Sequence, residues 1–100
     1  MSAEILDGTE ILLIEDNPEI VGMLVGPLRN EGAKVVSVIG GVAGMARLSA
    51  PNVPKFDFII TNYRQVEVPV GRLVRVIRMA QPQAKLVIVS GDPDREKIMG

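Results

Sequence analysis

Four short apolar runs are the feature that most constrains how this chain can fold. Each run is four or five residues long, is rich in β-branched side chains and is bounded by Gly, Pro, Asn or Asp. The runs are residues 11–14, 35–39, 56–60 and 86–89. Continuous apolarity is typical of strands that are covered on both faces, as in a parallel sheet. We therefore predict four strands, of which the second, because it alternates in part, lies nearer an edge.

Helical patterns fill the gaps between these runs. After the first run, Asn17 is suited to cap a helix and Pro18 to occupy its first position, where the missing N–H costs no hydrogen bond. Pro27 is expected to kink this helix and Gly32 to end it. The second helix, over residues 42–49, is weakly specified because glycines oppose it.

The third helical pattern is the clearest, because apolar and arginine side chains fall on opposite sides of it. The inward side chains are Leu73, Val74, Val76 and Ile77, and the outward ones are Arg72, Arg75 and Arg78. Both a solvated face and a docking surface for an acidic partner remain open for the arginines. A fourth helix is expected to begin at Asp92. The order β-α-β-α-β-α-β predicts an α/β fold with a doubly wound parallel sheet.

Length and composition exclude several classes of function. One hundred residues support one small domain, which we assign to residues 10–100, with residues 1–9 as a flexible leader. The chain has no Cys and no His, which excludes disulfides, imidazole-bound zinc and the usual catalytic triads. The net charge is −1, and no apolar run approaches membrane-spanning length. We expect a cytoplasmic protein that is not an enzyme and that binds neither nucleic acid nor membrane.

Polar side chains follow three of the predicted strands at their carboxyl ends. Glu15 and Asp16 follow the first strand, Asn62 comes after the third and Ser90 after the fourth. In doubly wound sheets, ligands bind at this edge, where the strand order reverses. Two carboxylates with an oxygen opposite suit a hard cation such as Mg²⁺. The simpler interpretation is a solvated acidic turn that leads into the helix cap at Asn17.

Three segments carry more information together than each does alone. They read Ile-Leu-Leu-Ile-Glu-Asp-Asn-Pro at residues 11–18, Phe-Asp-Phe-Ile-Ile-Thr-Asn-Tyr-Arg at residues 56–64 and Leu-Val-Ile-Val-Ser-Gly at residues 86–91. In this order and at these distances, they resemble a response-regulator receiver domain of two-component signalling. The resemblance covers residues 10–100 and implies the flavodoxin-like strand order 2-1-3-4-5.

The same resemblance implies roles for individual residues. Glu15 and Asp16 match the acidic pair that holds Mg²⁺ in receivers, and Ser90 matches the hydroxyl that reorients toward the phosphoryl group. Gly91 matches the small residue that leaves room for that group. The position of the phosphate-accepting aspartate is held by Asn62, an amide that does not form an acyl phosphate. Because Asn62 also removes a negative charge from the metal site, we predict weak Mg²⁺ binding and no required cofactor.

The sequence also departs from the receiver pattern at its carboxyl terminus, where it ends near the start of the fourth helix. We therefore expect a receiver truncated after the fourth strand, without the fifth strand and its lysine. Strand four would then be an unpaired edge formed by Leu86, Val87, Ile88 and Val89. Such an edge promotes aggregation unless it is covered. We predict that a second copy covers it, which gives a homodimer.

These departures favour a phosphorylation-independent, receiver-like interaction and regulatory module in two-component signalling. A histidine kinase or another receiver would be its partner. One alternative is a receiver that accepts a phosphoryl group on another carboxylate, of which Asp16 is the nearest. Another is the receiver fragment of a longer transcriptional regulator. The sequence also leaves open an engineered Asp-to-Asn change at position 62.

Overall fold

The computed structural model describes residues 5–64 and 67–89. In this part of the chain, strands and helices alternate as β1 (Glu10–Ile14), α1 (Pro18–Asn30), β2 (Lys34–Val38), α2 (Gly40–Ser49), β3 (Phe58–Asn62), α3 (Val70–Ala80) and β4 (Lys85–Val89). All neighbouring strands are parallel, in the order β2-β1-β3-β4. This confirms the predicted doubly wound α/β sheet and the position of the second strand at an edge.

The core lies on both faces of the sheet, and β1 is its centre. Leu12 and Ile14 belong to the cluster under α2 and α3, together with Leu73 of α3. Ile11 and Leu13 point to the opposite face, against the apolar side of α1. All four apolar residues of β1 are buried, as the continuous apolar run predicts. No helix in the described ranges is long and apolar enough to cross a membrane.

Local signals at the ends of α1 are confirmed. The side chain of Asn17 accepts a hydrogen bond from the backbone N–H of Glu19 at 3.0 Å, and Pro18 is the first helical residue. The helix runs through Pro27 to Asn30. Gly32 has a φ of +94°, a conformation that favours glycine, and its N–H bonds the carbonyl of the last helical turn.

The third strand lies two residues later than predicted. It covers Phe58–Asn62 instead of residues 56–60, so Asn62 ends the strand rather than following it. The backbone N–H of Asp57 bonds the carbonyl of Glu10, which fixes Phe58 opposite Ile11. Apolarity alone did not show this shift, because the buried aromatic at position 56 belongs to the core without being part of the sheet.

One further boundary differs from the sequence prediction. Helix α2 begins at Gly40, two residues earlier than expected. The described residues of the predicted leader, 5–9, form turns, and the N–H of Leu6 bonds the carbonyl of Glu31 at 2.7 Å. These residues therefore pack on the domain. The predicted helix at Asp92 lies outside the described residues.

The fourth strand is less buried than its continuous apolar run suggested. Val87 and Val89 are 40% and 37% exposed. Their register partners Ile60 and Asn62 lie on the sheet face that carries α1, but α1 packs at the β2 side of that face. The expectation of cover on both faces is wrong for β4, because no described helix lies over this part of the sheet.

Candidate functional site

The carboxyl ends of β1 and β3 meet at the point where the strand order reverses. Strand β2 lies on one side of β1, and β3 lies on the other. The connections that leave β1 and β3 therefore diverge to opposite sides. This divergence opens a crevice at the carboxyl edge of the sheet. Glu15 and Asp16 leave β1 at this edge, and Asn62 is the last residue of β3.

Glu15 and Asn62 are in direct contact across this edge. The Oε2 atom of Glu15 accepts hydrogen bonds from the backbone N–H of Asn17 at 3.1 Å and from Nδ2 of Asn62 at 3.3 Å. The Oδ1 atom of Asn62 accepts from the backbone N–H of Arg64 at 3.3 Å. The amide therefore presents its N–H side to the acidic pair and its oxygen to the following turn.

Asp16 differs from Glu15 in its hydrogen bonding. Glu15 is almost fully buried and has two donors. Asp16 is half-buried, and its buried Oδ2 atom has no hydrogen-bond partner among the described residues. An unpartnered carboxylate oxygen is costly unless a cation or a donor approaches it. The described residues contain no group of three His, Cys, Asp or Glu side chains that would form a complete metal site.

The position of Glu15 raises its pKa above the ordinary value. Burial is the main cause, because it penalises the charged form, and the neighbouring Asp16 carboxyl raises the pKa further. The N–H of Asn17 opposes this rise. The folded protein therefore holds a proton on Glu15 more tightly than the unfolded chain does.

We expect Glu15→Gln to stabilise the fold at pH 7 and to have little effect at pH 4. A carboxyl whose pKa is raised in the folded state makes its full contribution to the free energy of unfolding at pH values below its ordinary pKa of 4.5. This contribution falls as the pH rises through the folded-state pKa. Glutamine removes the charge but keeps an oxygen that accepts from Asn17 and Asn62. Urea unfolding at both pH values measures the effect, with Glu19→Gln as an exposed control. A benefit of equal size at pH 4 would contradict this assignment.

Solved structures of bacterial response regulators resemble this chain over most of its length. A response regulator from Burkholderia pseudomallei, solved with a phosphorylated aspartic acid, a calcium ion and citrate, has 23% identity and a TM-score of 0.75 over 84% of this chain and 48% of its own. TrrA from Thermotoga maritima, solved in complex with Mg²⁺ and BeF, has 19% identity and a TM-score of 0.73 over 89% of this chain and 75% of its own. A receiver protein from Sinorhizobium medicae has 24% identity and a TM-score of 0.77 over 94% of this chain and 75% of its own.

The chain has the fold of a response-regulator receiver domain. This confirms the resemblance that the three sequence segments indicate. The chain spans about half the length of the Burkholderia protein. No protein-family model matches the sequence, and no curated protein does.

The receiver fold gives the positions of the residues that the sequence singled out. Glu15 and Asp16 follow the first strand of the receiver, and Asn62 lies at the end of the third, against Glu15. Ser90 and Gly91 lie outside the described residues. The described part of the chain contains the strand order 2-1-3-4 of the receiver sheet.

One residue beside this edge, Glu67, was not singled out by the sequence. Glu67, in the connection from β3 to α3, accepts a hydrogen bond from the backbone N–H of Val42 at 3.2 Å. It thereby caps α2, whose preceding residue Ile39 makes no side-chain cap. An acidic residue in a loop is common, so no sequence signal links Glu67 to a helix 25 residues away.

Proposed function

We propose that this receiver-like chain is an interaction and regulatory module of two-component signalling that works without being phosphorylated. The observation that supports it best is the hydrogen bond from Nδ2 of Asn62 to Oε2 of Glu15. A donor faces the acidic pair at the position where the resemblance places the phosphate-accepting carboxylate. The proposed partners are a histidine kinase or another receiver, recognised through surface complementarity rather than through phosphoryl transfer.

The chemistry of the amide is the reason for this proposal. Formation of an acyl phosphate requires an anionic carboxylate oxygen that attacks phosphorus and displaces the leaving group. The lone pair of an amide nitrogen is delocalised, and the N–H of Asn62 is committed to Glu15. Its oxygen is neutral and accepts from Arg64. Neither atom of Asn62 is suited to accept a phosphoryl group.

The alternative acceptor is Asp16, and the unpartnered Oδ2 atom favours considering it. Beryllofluoride with Mg²⁺ distinguishes a chain without an acceptor from one that uses Asp16, because beryllium bonds to a carboxylate oxygen but not to an amide. We expect the amide signals of Asp16, Asn62 and their neighbours in ¹H–¹⁵N spectra to stay in place when beryllofluoride is added to protein that already contains Mg²⁺. A new, slowly exchanging set of signals that is lost in Asp16→Ala would instead show an acceptor at Asp16.

Glu15 and Asp16 fit a divalent cation only in part. Their oxygens are the ligand type that Mg²⁺ prefers, but Glu15 already accepts two N–H groups and has a raised pKa. We therefore expect Mg²⁺ to bind with a dissociation constant in the millimolar range or weaker. Calorimetry measures this directly. Micromolar affinity that disappears in Asp16→Ala would contradict the expectation.

We also propose that two copies of the chain associate through β4. Among the described residues, β4 pairs only with β3, so its outer edge has unpaired backbone groups. The exposed Val87 and Val89 lie on the strand that forms this edge. Pairing with a second copy satisfies the edge and closes the assembly with two-fold symmetry.

A further inference from the structure

A cavity beside the acidic pair combines carboxylates with apolar side chains. It has a volume of about 490 Å³ and is lined by Asp16, Asn17, Pro18, Ile39, Gly40 and Glu67. These residues come from the start of α1, the turn from β2 to α2 and the connection from β3 to α3. Neither a lysine nor an arginine is among them. We call this cavity the acidic groove.

The position of Glu67 in the acidic groove depends on a glycine. Gly40 has a φ of +89°, and a Cβ built there would lie 2.5 Å from Oε1 of Glu67. The missing side chain thus leaves the space that the carboxylate occupies. The hydrogen bond from the N–H of Val42 then holds Glu67 at the start of α2. The start of α2 and the connection from β3 to α3 are thereby joined on one side of the groove.

The chemistry of the lining indicates what would complement it. Asp16 and Glu67 contribute negative charge to the lining. Ile39 lines the groove and is 57% exposed, and Val42 nearby on α2 is 50% exposed. A metal ion would meet the carboxylate but leave these two side chains in water. An arginine or lysine has a charged end on an apolar stem and satisfies both requirements.

We propose that the acidic groove docks a segment of a partner protein through an arginine or lysine flanked by apolar residues. The basic group would pair with the carboxylates of Asp16 and Glu67, while the flanking side chains cover Ile39 and Val42. Charge-assisted hydrogen bonds of this kind are stronger than neutral ones. This inference rests on the proposed interaction function and specifies the chemistry of the partner.

A short arginine peptide and its uncharged analogue test this inference. The probe is acetyl-Ala-Leu-Arg-Leu-Ala-amide, and the control replaces its arginine with citrulline, which has nearly the same shape without the charge. In ¹H–¹⁵N titrations, we expect the arginine peptide to shift the amide signals of Asp16, Val42 and Glu67. Its affinity should exceed that of the citrulline peptide by about tenfold, which corresponds to about 1.4 kcal/mol.

Charge-neutralising variants locate the binding site. Glu67→Gln keeps an oxygen that accepts from Val42, so the loop should stay in place while the charge is lost. Asp16→Asn removes the other charge. Each variant should weaken binding of the arginine peptide severalfold. Asp7→Asn, which makes the same charge change in a separate cavity, should leave the affinity unchanged.

Three results would overturn the inference: equal binding of the citrulline peptide, no binding of the arginine peptide at millimolar concentration, or binding that survives both Asp16→Asn and Glu67→Gln. The mass of the same samples after treatment with acetyl phosphate tests the proposed function separately. If the arginine peptide does not bind and the protein takes up no phosphate, only the proposal of a basic partner segment is rejected. Phosphate uptake rejects the phosphorylation-independent function itself.

Discussion

Replacement of Gln81 by alanine is expected to lower the free energy of unfolding by about 3 kcal/mol, because one buried and one partly buried backbone group lose their partner. Gln81 is 3% exposed at the end of α3. Its Oε1 atom accepts from the buried backbone N–H of Phe56 at 3.0 Å, and its Nε2 atom donates to the partly buried carbonyl of Pro54 at 3.0 Å. This side chain therefore anchors the segment that places Phe56 in the core.

Gln83 provides the matched control for this prediction. It is an exposed glutamine two residues away, and its Nε2 atom donates to Oε1 of Gln81 at 2.7 Å and, at the longer distance of 3.4 Å, to the carbonyl of Phe56. Gln83→Ala leaves the bonds from Gln81 to Phe56 and Pro54 intact and should cost less than about 1 kcal/mol. Urea unfolding followed by circular dichroism measures both variants. Equal losses of stability would show that Gln81 does not anchor this segment.

The protein is expected to have twice its chain mass of 10.8 kDa in solution at micromolar concentration. Two-fold pairing of β4 with its copy is antiparallel, and full overlap of the two strands (Lys85–Val89) places the central Val87 opposite Val87 of the copy. Because like charges directly opposite each other destabilise paired strands, Val87→Lys should weaken the dimer by roughly tenfold, or about 1.4 kcal/mol. Light scattering over a concentration series measures this change.

Met79→Lys is the control for the dimer, because Met79 is 79% exposed on α3 and lies outside the β4 strand. It should leave the mass unchanged. A wild-type chain that is folded and monomeric at tens of micromolar would contradict the β4 dimer. A dimer that Val87→Lys leaves intact would assign the contact to another surface.

Much of the fold follows from local sequence signals. The continuous apolar run of β1 predicts a central strand, and the capping pair at Asn17 and Pro18 predicts the start of α1. Gly32 predicts its end. Each of these signals acts within a few residues, so one sequence is enough to interpret it. The resemblance to receivers adds the strand order, which local patterns do not specify.

Other features depend on contacts between distant residues, and these were missed. The register of β3 is set by pairing with β1 and by the buried position of Phe56, which apolarity alone does not distinguish from a strand residue. Gln81 and Glu67 are polar residues whose backbone partners lie 25 or more residues away. Nothing in their local sequence marks one as a buried anchor and the other as a helix cap.

The candidate site was predictable in its members but not in its hydrogen bonds. The sequence prediction placed Glu15, Asp16 and Asn62 at one edge of the sheet, because each comes at the carboxyl end of a predicted strand. The structure adds that the amide of Asn62 donates to Glu15 and that an oxygen of Asp16 has no donor among the described residues. That difference between two adjacent acids comes from their side-chain directions, which the sequence does not encode locally.

Intact mass after incubation with acetyl phosphate and Mg²⁺ tests the central claim most directly. A receiver domain that carries the acceptor aspartate serves as the positive control under the same mild conditions. We predict that this chain keeps its unmodified mass while the control gains one phosphoryl group, because Asn62 offers no anionic oxygen. A stoichiometric phosphoryl adduct on this chain, mapped to Asp16 and lost in Asp16→Ala, would contradict the account.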